Sequence, residues 1–328
     1  MDKIIGMGNA LVDELVRIED DAVLEQLHLP KGSMQLIDEQ EQLLVRERLA
    51  DKKWVRSVGG CAGNTVMALA HLGASVGFIG KTGEDDASKY FERRLRRLGV
   101  ELHLLKGTAP SGIAMTLVSP DGERTFGTCL GAAGTLAATE LGADQLAGYS
   151  YLYIEGYLVQ DHALMERAMH LARQQGLQIC LDLASYNLVE AERDFFGMLV
   201  SKYVDIVFAN EQEARALTGG EPLEALEEIG SQCSVAVITL GSKGALVKKG
   251  TEVLQVLPCG ATKAVDTTGA GDFFAAGFLY ALSCGSSLEK CAMAGSILAD
   301  YVIRRVGTLL TKQKWDEIKL NVEHVLQA

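Results

Sequence analysis

Short apolar runs rich in β-branched and aromatic residues alternate with amphipathic runs along most of this chain, and that alternation narrows its fold more than any other feature. The strand-like runs are Lys3–Met7, Ser75–Gly80, Tyr151–Glu155, Gln178–Leu183, Ile206–Ala209 and Val235–Thr239. Helix-like stretches such as Asn64–Leu72, Ala163–Gln174 and Glu211–Leu217 lie between them. Strands that recur with helices between them predict βαβ units, right-handed crossovers and a mainly parallel sheet covered on both faces. The 328 residues suit one large α/β domain or two ordinary ones. With no Pro/Gly/Ser-rich linker, low-complexity tract or repeat, the sequence reads as a single domain over 1–328. Thirty-five glycines against five prolines fit many tight strand–helix turns.

Two places break the alternation. Met34–Ile37 is a short apolar piece after Pro30-Lys31-Gly32, and Ser111–Ser119 and Arg124–Cys129 flank Pro120-Asp121-Gly122. An Asp-Gly turn between strand-like runs signals a hairpin. These pieces read either as a small β-lid apart from the main sheet, built from segments 14–40 and 104–130, or as an ordinary edge hairpin.

A formal net charge of -12 argues against a nucleic-acid binder, which needs a basic surface. The seven cysteines are odd in number and form no C-x-x-C pair, so they read as reduced thiols of a cytoplasmic protein rather than disulfides or metal ligands. No signal peptide is expected at Met1–Ile5, and no apolar run reaches the roughly 20 residues a membrane span needs. The runs Glu19–Asp21 and Arg93–Arg97 are read as solvated helix faces or ends.

The chemistry is concentrated in Asp266-Thr267-Thr268-Gly269-Ala270-Gly271-Asp272, which runs into the apolar, helix-like Phe273–Cys284. Helix N-termini carry unpaired N–H groups and partial positive charge, and glycine lets such a backbone approach an anion closely. A carboxylate at Asp272 is expected to be favoured by the helix dipole, to stay ionised at neutral pH, and to accept the proton of an attacking hydroxyl as a weak base. The alternative is a capped helix start with a flexible turn. There is no G-x-x-x-x-G-K-[ST] and no protein-kinase signature set, and Gly6-Met7-Gly8-Asn9-Ala10-Leu11 has Leu where a dinucleotide fingerprint needs glycine.

With Asp266–Asp272 and Gly59-Gly60-Cys61-Ala62-Gly63-Asn64 both present and in order, the chain resembles the ribokinase-like (PfkB) family of sugar and nucleoside kinases over nearly its whole length. The resemblance implies an α/β three-layer sandwich with a mainly parallel central sheet and a small β-lid. It implies an anion hole at Gly269, Ala270 and Gly271, with Asp272 as catalytic base. Asp13, Gly59, Gly60 and Asn64 match acceptor-binding and hinge positions. Asn210 and Glu213 match an Asn-x-x-Glu element that organises Mg²⁺ and phosphate through water, although an N-cap pair explains them equally. Thr239, Gly241 and Gly244 match a nucleotide-binding turn, or form a tight β-turn. Asp266 and Thr268 are the expected contacts of a monovalent cation such as K⁺. Ala292–Gly295 and Arg304–Thr308 would line the adenine pocket and cation loop. Arg124 is expected to meet a polar substrate group or to pair with an acid on the lid. Gly6–Asp13, Lys31–Asp38, Asp121–Thr125 and Glu155–Leu158 look most like the bacterial adenosine-kinase-like branch.

The resulting expectation is transfer of the ATP γ-phosphoryl group to a hydroxymethyl of an adenosine-like or ribose-like acceptor, by a monomer or homodimer, with Mg²⁺ and no nucleic-acid or membrane partner. A non-catalytic nucleotide or sugar sensor on the same fold is the alternative, and it would have lost the base or the glycines. A phosphatase or nucleoside hydrolase would need a nucleophile or an acid cluster that the sequence does not offer.

Overall fold

The computed structural model describes residues 1–260 and 264–328. Its strands in chain order are β1 (Ile4–Met7), β2 (Leu11–Arg17), β3 (Met34–Leu36), β4 (Val55–Gly59), β5 (Val76–Thr82), β6 (Glu101–Lys106), β7 (Gly112–Val118), β8 (Arg124–Cys129), β9 (Tyr151–Glu155), β10 (Gln178–Asp182), β11 (Ile206–Asn210), β12 (Val235–Thr239), β13 (Ala245–Lys249) and β14 (Glu252–Val256). Among the described residues they form a nine-stranded sheet, β14-β13-β12-β11-β10-β9-β1-β5-β6, and a five-stranded sheet, β3-β8-β7-β2-β4.

In the large sheet β6, β5, β1, β9, β10, β11 and β12 pair in parallel in that order, and β13 and β14 extend it as an antiparallel meander. The central strands read as continuous apolar runs because both faces are covered. Successive side chains divide between two cores. Ile4, Tyr153 and Phe208 pack with Phe273 and Phe278 of the helix Ala270–Ser283 and with Leu69 of the helix Cys61–Leu72. Ile5, Leu152 and Ile154 pack with Met165 and Met169 of the helix His162–Gln174 on the other side. The alternation read in the sequence thus becomes three layers. No described helix is long and apolar enough to cross a membrane.

The hairpin signal is realised as antiparallel β7 and β8, with Gly122 at φ +90 in the turn. It belongs to a separate sheet rather than to an edge of the main one. That sheet differs from the expected segments. β2 starts at Leu11, β4 falls outside both segments, and residues 104–106 belong to β6 of the large sheet. β4, Val-Arg-Ser-Val-Gly, carries little local signal; pairing with β2 makes it a strand. One face of the small sheet, with Val12, Val16, Met115 and Leu117, is buried in the core cluster with Leu24 and Val45 of the helices Ala22–Gln26 and Glu39–Arg48. Its other face carries Asp13.

Candidate active site

Strand β1 pairs in parallel with β5 on one side and β9 on the other. Ligands of open α/β sheets bind beyond the carboxyl ends of the strands at such a switch point. The residues there are polar: Asn9 after β1, then Glu155, Asp182, Asn210 and Thr239 as the last residues of β9 to β12.

Facing them is the start of the helix Ala270–Ser283. Gly269 caps it at φ +75, where a Cβ would stand 2.7 Å from Thr308 Cγ2. The Ala270 N–H donates to the Thr267 carbonyl at 3.1 Å. Of the expected anion hole, the N–H groups of Gly269, Gly271 and Asp272 meet no acceptor among the described residues, and a Cβ at Gly271 would meet open space. Asp272 is buried; its Oδ2 accepts from Asn64 Nδ2 at 2.9 Å and its carbonyl accepts from Thr65 Oγ1 at 3.2 Å. The expectation of a low pKa is overturned. Burial, reinforced by the charges of Asp182 and Glu155, pushes the Asp272 carboxyl well above the usual range, although Asn64 and Cys61 pull the other way. A helix terminus contributes about 0.3–1 kcal/mol, whereas full burial moves a pKa by up to about 3–5 units at about 1.4 kcal/mol each, so desolvation wins.

Asp13 lies on β2 opposite Ser57 of β4, half-buried, and desolvation pushes its carboxyl up to about 7. A Cβ at Gly59 would stand 2.0 Å from Asp13 Oδ1, so only glycine leaves that carboxylate its place. Asn64 Oδ1 is buried and meets no donor among the described residues, which leaves it for a ligand hydroxyl. The register of the small sheet puts Leu36, Thr128, Ala114, Asp13 and Ser57 in one row, and Met34, Phe126, Thr116, Leu15 and Val55 in the next, on one face.

The same face carries Arg124, which reaches neither an acid on its own sheet nor open solvent. Its Nη2 lies 2.5 Å from Asp266 Oδ1, and its Nη1 donates to Thr268 Oγ1. Asp266 also accepts from Thr268 N at 2.6 Å and from Gly307 N at 2.7 Å. Protein donors thus meet the side-chain oxygens of Asp266 and Thr268, so of the oxygens expected to meet a monovalent cation the backbone carbonyls of these two residues are the ones left for it.

Asn210 and Glu213 form a complete capping box. Asn210 Oδ1 accepts from the N–H groups of Gln212 and Glu213, and Glu213 accepts from Asn210 N at 2.8 Å and Nδ2 at 2.7 Å. Burial, then the nearby Asp182, pushes Glu213 up to about 8. No group of three or more potential ligand side chains occurs among the described residues. Thr239 ends β12, and Gly241 follows at φ +55 with open space beside it. Gly244 has a packing reason of its own: at φ +92 its Cβ would stand 1.9 Å from the Val256 carbonyl oxygen. Of Ala292–Gly295, expected at an adenine pocket, Ala292, Ala294 and Gly295 are buried at a helix contact, where Gly277 abuts the Ala294 carbonyl and Gly295 the Phe274 carbonyl, while Met293 is half-buried. Small residues there serve close helix approach.

Sequence reasoning gave no role to Glu155 or Asp182. Asp182 accepts from Tyr153 OH at 2.8 Å and from Ala184 N at 2.9 Å, with Ala184 at φ +64. Glu155 accepts from Asn9 and Ala62. A lone acid ending an otherwise apolar strand was the available signal for both.

A helix start stripped for an anion, a buried carboxyl beside it and a small sheet facing both define an α/β phosphotransferase. The model of the pfkB family carbohydrate kinases matches residues 32–315, and the chain belongs to that family. An adenosine kinase of Sinorhizobium meliloti has a similar structure, with TM-score 0.87 and 34% identity over 97% of this chain and 99% of that one. An adenosine kinase of Schizophyllum commune is 27% identical over 97% of this chain and 98% of its own length. A cytidine kinase of Thermococcus kodakarensis is 30% identical over 78% and 91% respectively. The protein is an ATP-dependent kinase of a sugar or nucleoside. The sensor alternative required loss of the base or the glycines, and Asp272, Gly269 and Gly271 all stand.

Proposed function

We propose that the acceptor is a nucleoside, adenosine-like, phosphorylated on its hydroxymethyl group. The observation that carries this reading is the composition of the small sheet's inner face. Around Asp13 and Ser57 it is largely apolar, with Leu15, Leu36, Ala114 and Phe126. A free sugar offers hydroxyls on every side and gains little from such a wall, whereas a nucleobase presents a flat apolar face to it. Burying about 100 Å² of that face is worth about 2.5 kcal/mol, or about 70-fold in affinity. Similarity to adenosine kinases over almost the whole chain supports the same choice.

In this reading Asp13 and Asn64 Oδ1 accept from acceptor hydroxyls. Asp272 takes the proton of the attacking hydroxyl, and its raised pKa makes it a stronger base than a helix-start carboxylate would be. The free N–H groups of Gly269, Gly271 and Asp272 hold the transferring phosphoryl group. Thr239 and Gly241 lie toward the nucleotide. Mg²⁺ bound to ATP supplies charge neutralisation, and Glu213 with Asn210 would hold it through water. The free cysteines are consistent with a reducing, cytoplasmic setting.

The test is ADP release with Mg·ATP over adenosine, cytidine, ribose and fructose, with and without K⁺. The expected result is a kcat/KM for adenosine about 10²-fold above that for ribose. Equal or better use of a free sugar would overturn the nucleoside reading.

A further inference from the structure

We propose that Glu155 is a positioning residue for the acceptor half of the site, clipping both hinge strands of the small sheet to the end of β9. The inference rests on the acceptor binding at Asp13 and Asn64.

The chain leaves the large sheet for the small one at Gly8-Asn9-Ala10, between β1 and β2, and first returns through Gly60, between β4 and the helix Cys61–Leu72. One buried carboxylate holds both crossings. Glu155 Oε1 accepts from Asn9 N at 2.8 Å and from Asn9 Nδ2 at 2.9 Å, while Oε2 accepts from Ala62 N at 2.8 Å. Glu155 is 1% exposed and Asn9 5%. The crossings are built around this contact. A Cβ at Gly8 would stand 2.3 Å from Glu155 Oε2, and a Cβ at Gly60, at φ +77, would stand 2.3 Å from the Asn9 carbonyl oxygen.

Each clipped strand carries one acceptor-binding group a few residues on. Asn9 leads into β2 and Asp13. Ala62 lies in the first turn of the helix whose Asn64 donates to Asp272. Release of either strand moves Asp13 relative to Asn64 and Asp272, and a misplacement of about 1 Å costs about 10²-fold in rate. The nucleotide groups Asn210, Glu213, Thr239 and Gly241 lie on other strand ends, so they keep their geometry. The chemistry of the clip selects a carboxylate. All three partners are N–H donors, and a glutamine would satisfy one side while turning its own NH₂ against the other.

The experiment compares Glu155→Gln, Asn9→Ala and Asp13→Ala with the parent in adenosine and Mg·ATP kinetics, alongside thermal melts. Glu155→Gln is expected to lower kcat/KM for adenosine about 10²-fold, and Asn9→Ala, which keeps an N–H to Oε1 and loses the side-chain one, about 10-fold. The KM for ATP stays within about twofold in both, a split that general loosening of the fold would not give. A parent-like adenosine kcat/KM in Glu155→Gln, or equal damage to both substrates, overturns the proposal. If Glu155→Gln does not fold, Asn9→Ala decides by the same criteria. An unchanged adenosine kcat/KM in Asp13→Ala removes the acceptor reading and this inference with it. Its collapse in Asp13→Ala beside a parent-like Glu155→Gln removes the clip alone.

Discussion

Asp272 is where local and tertiary effects oppose each other. Its place in the first helical turn favours the carboxylate, and its burial among Asp182 and Glu155 favours the acid. Burial dominates, so the group proposed as the base has its carboxyl held above the ordinary aspartate range. Asp272→Asn keeps the shape and an acceptor oxygen for Asn64, and it removes the proton acceptor. Turnover is expected to fall by about 10²–10⁴ while the Kd for Mg·ATP changes only a few-fold. In the parent, the acid limb of kcat/KM should lie above the pH at which an ordinary aspartate titrates, since that limb reports the free enzyme. Near-parent turnover in Asp272→Asn removes the base assignment, and an acid limb near pH 4 removes the account of its environment.

Among the elements, those with strong local periodicity were legible in the sequence. Tyr151–Glu155 and Val235–Thr239 are strands over the residues expected, and the helix after the glycine-rich segment starts at the glycines. What was not legible depends on partners distant in sequence. β4 becomes a strand by pairing, and Arg124 finds its acid 142 residues away in the loop before the helix start. That ion pair joins the small sheet to the loop before the helix Ala270–Ser283. Asp266 would keep two backbone donors without it, so removing the arginine should cost less than the roughly 3–5 kcal/mol of an orphaned buried charge. Arg124→Gln is expected to leave the melting temperature within a few degrees of the parent and to speed amide exchange across Gly112–Cys129 in the ligand-free protein. Unchanged exchange there would show that the ion pair does not hold the sheet down.

On the scale of the whole molecule, the proposed phosphate end of the site is written contiguously in Asp266–Asp272, and the strand-end carboxyls are not. Glu155, Asp182 and Glu213 belong to three strands or helices and meet only when the parallel sheet forms, so no window of sequence displays the cluster. Their crowding has a consequence for stability. Burial pushes Asp13 and Glu155 to about 7 and Glu213 to about 8, and Asp182 also upward. Each binds its proton more tightly folded than unfolded. Their contribution is complete below the unfolded values near pH 4 and is lost as pH rises through 7 to 8. Acids held low, such as Glu92 beside Lys106 and Asp85 in its hydrogen bonds to Ser88 and Ser111, act the other way, but only as pH falls toward 4 and below. A net charge of -12 adds self-repulsion in the same direction as the raised group. The ligand-free protein should therefore melt highest near pH 5 and lose several degrees by pH 8, since each kcal/mol lost lowers the melting temperature by about 1.5 °C in a chain of 328 residues. Glu155→Gln and Glu213→Gln, each removing one raised carboxyl, should flatten that slope. A melting temperature that holds level or rises from pH 5 to pH 8 would mean that these carboxyls are ionised in the folded protein at little cost.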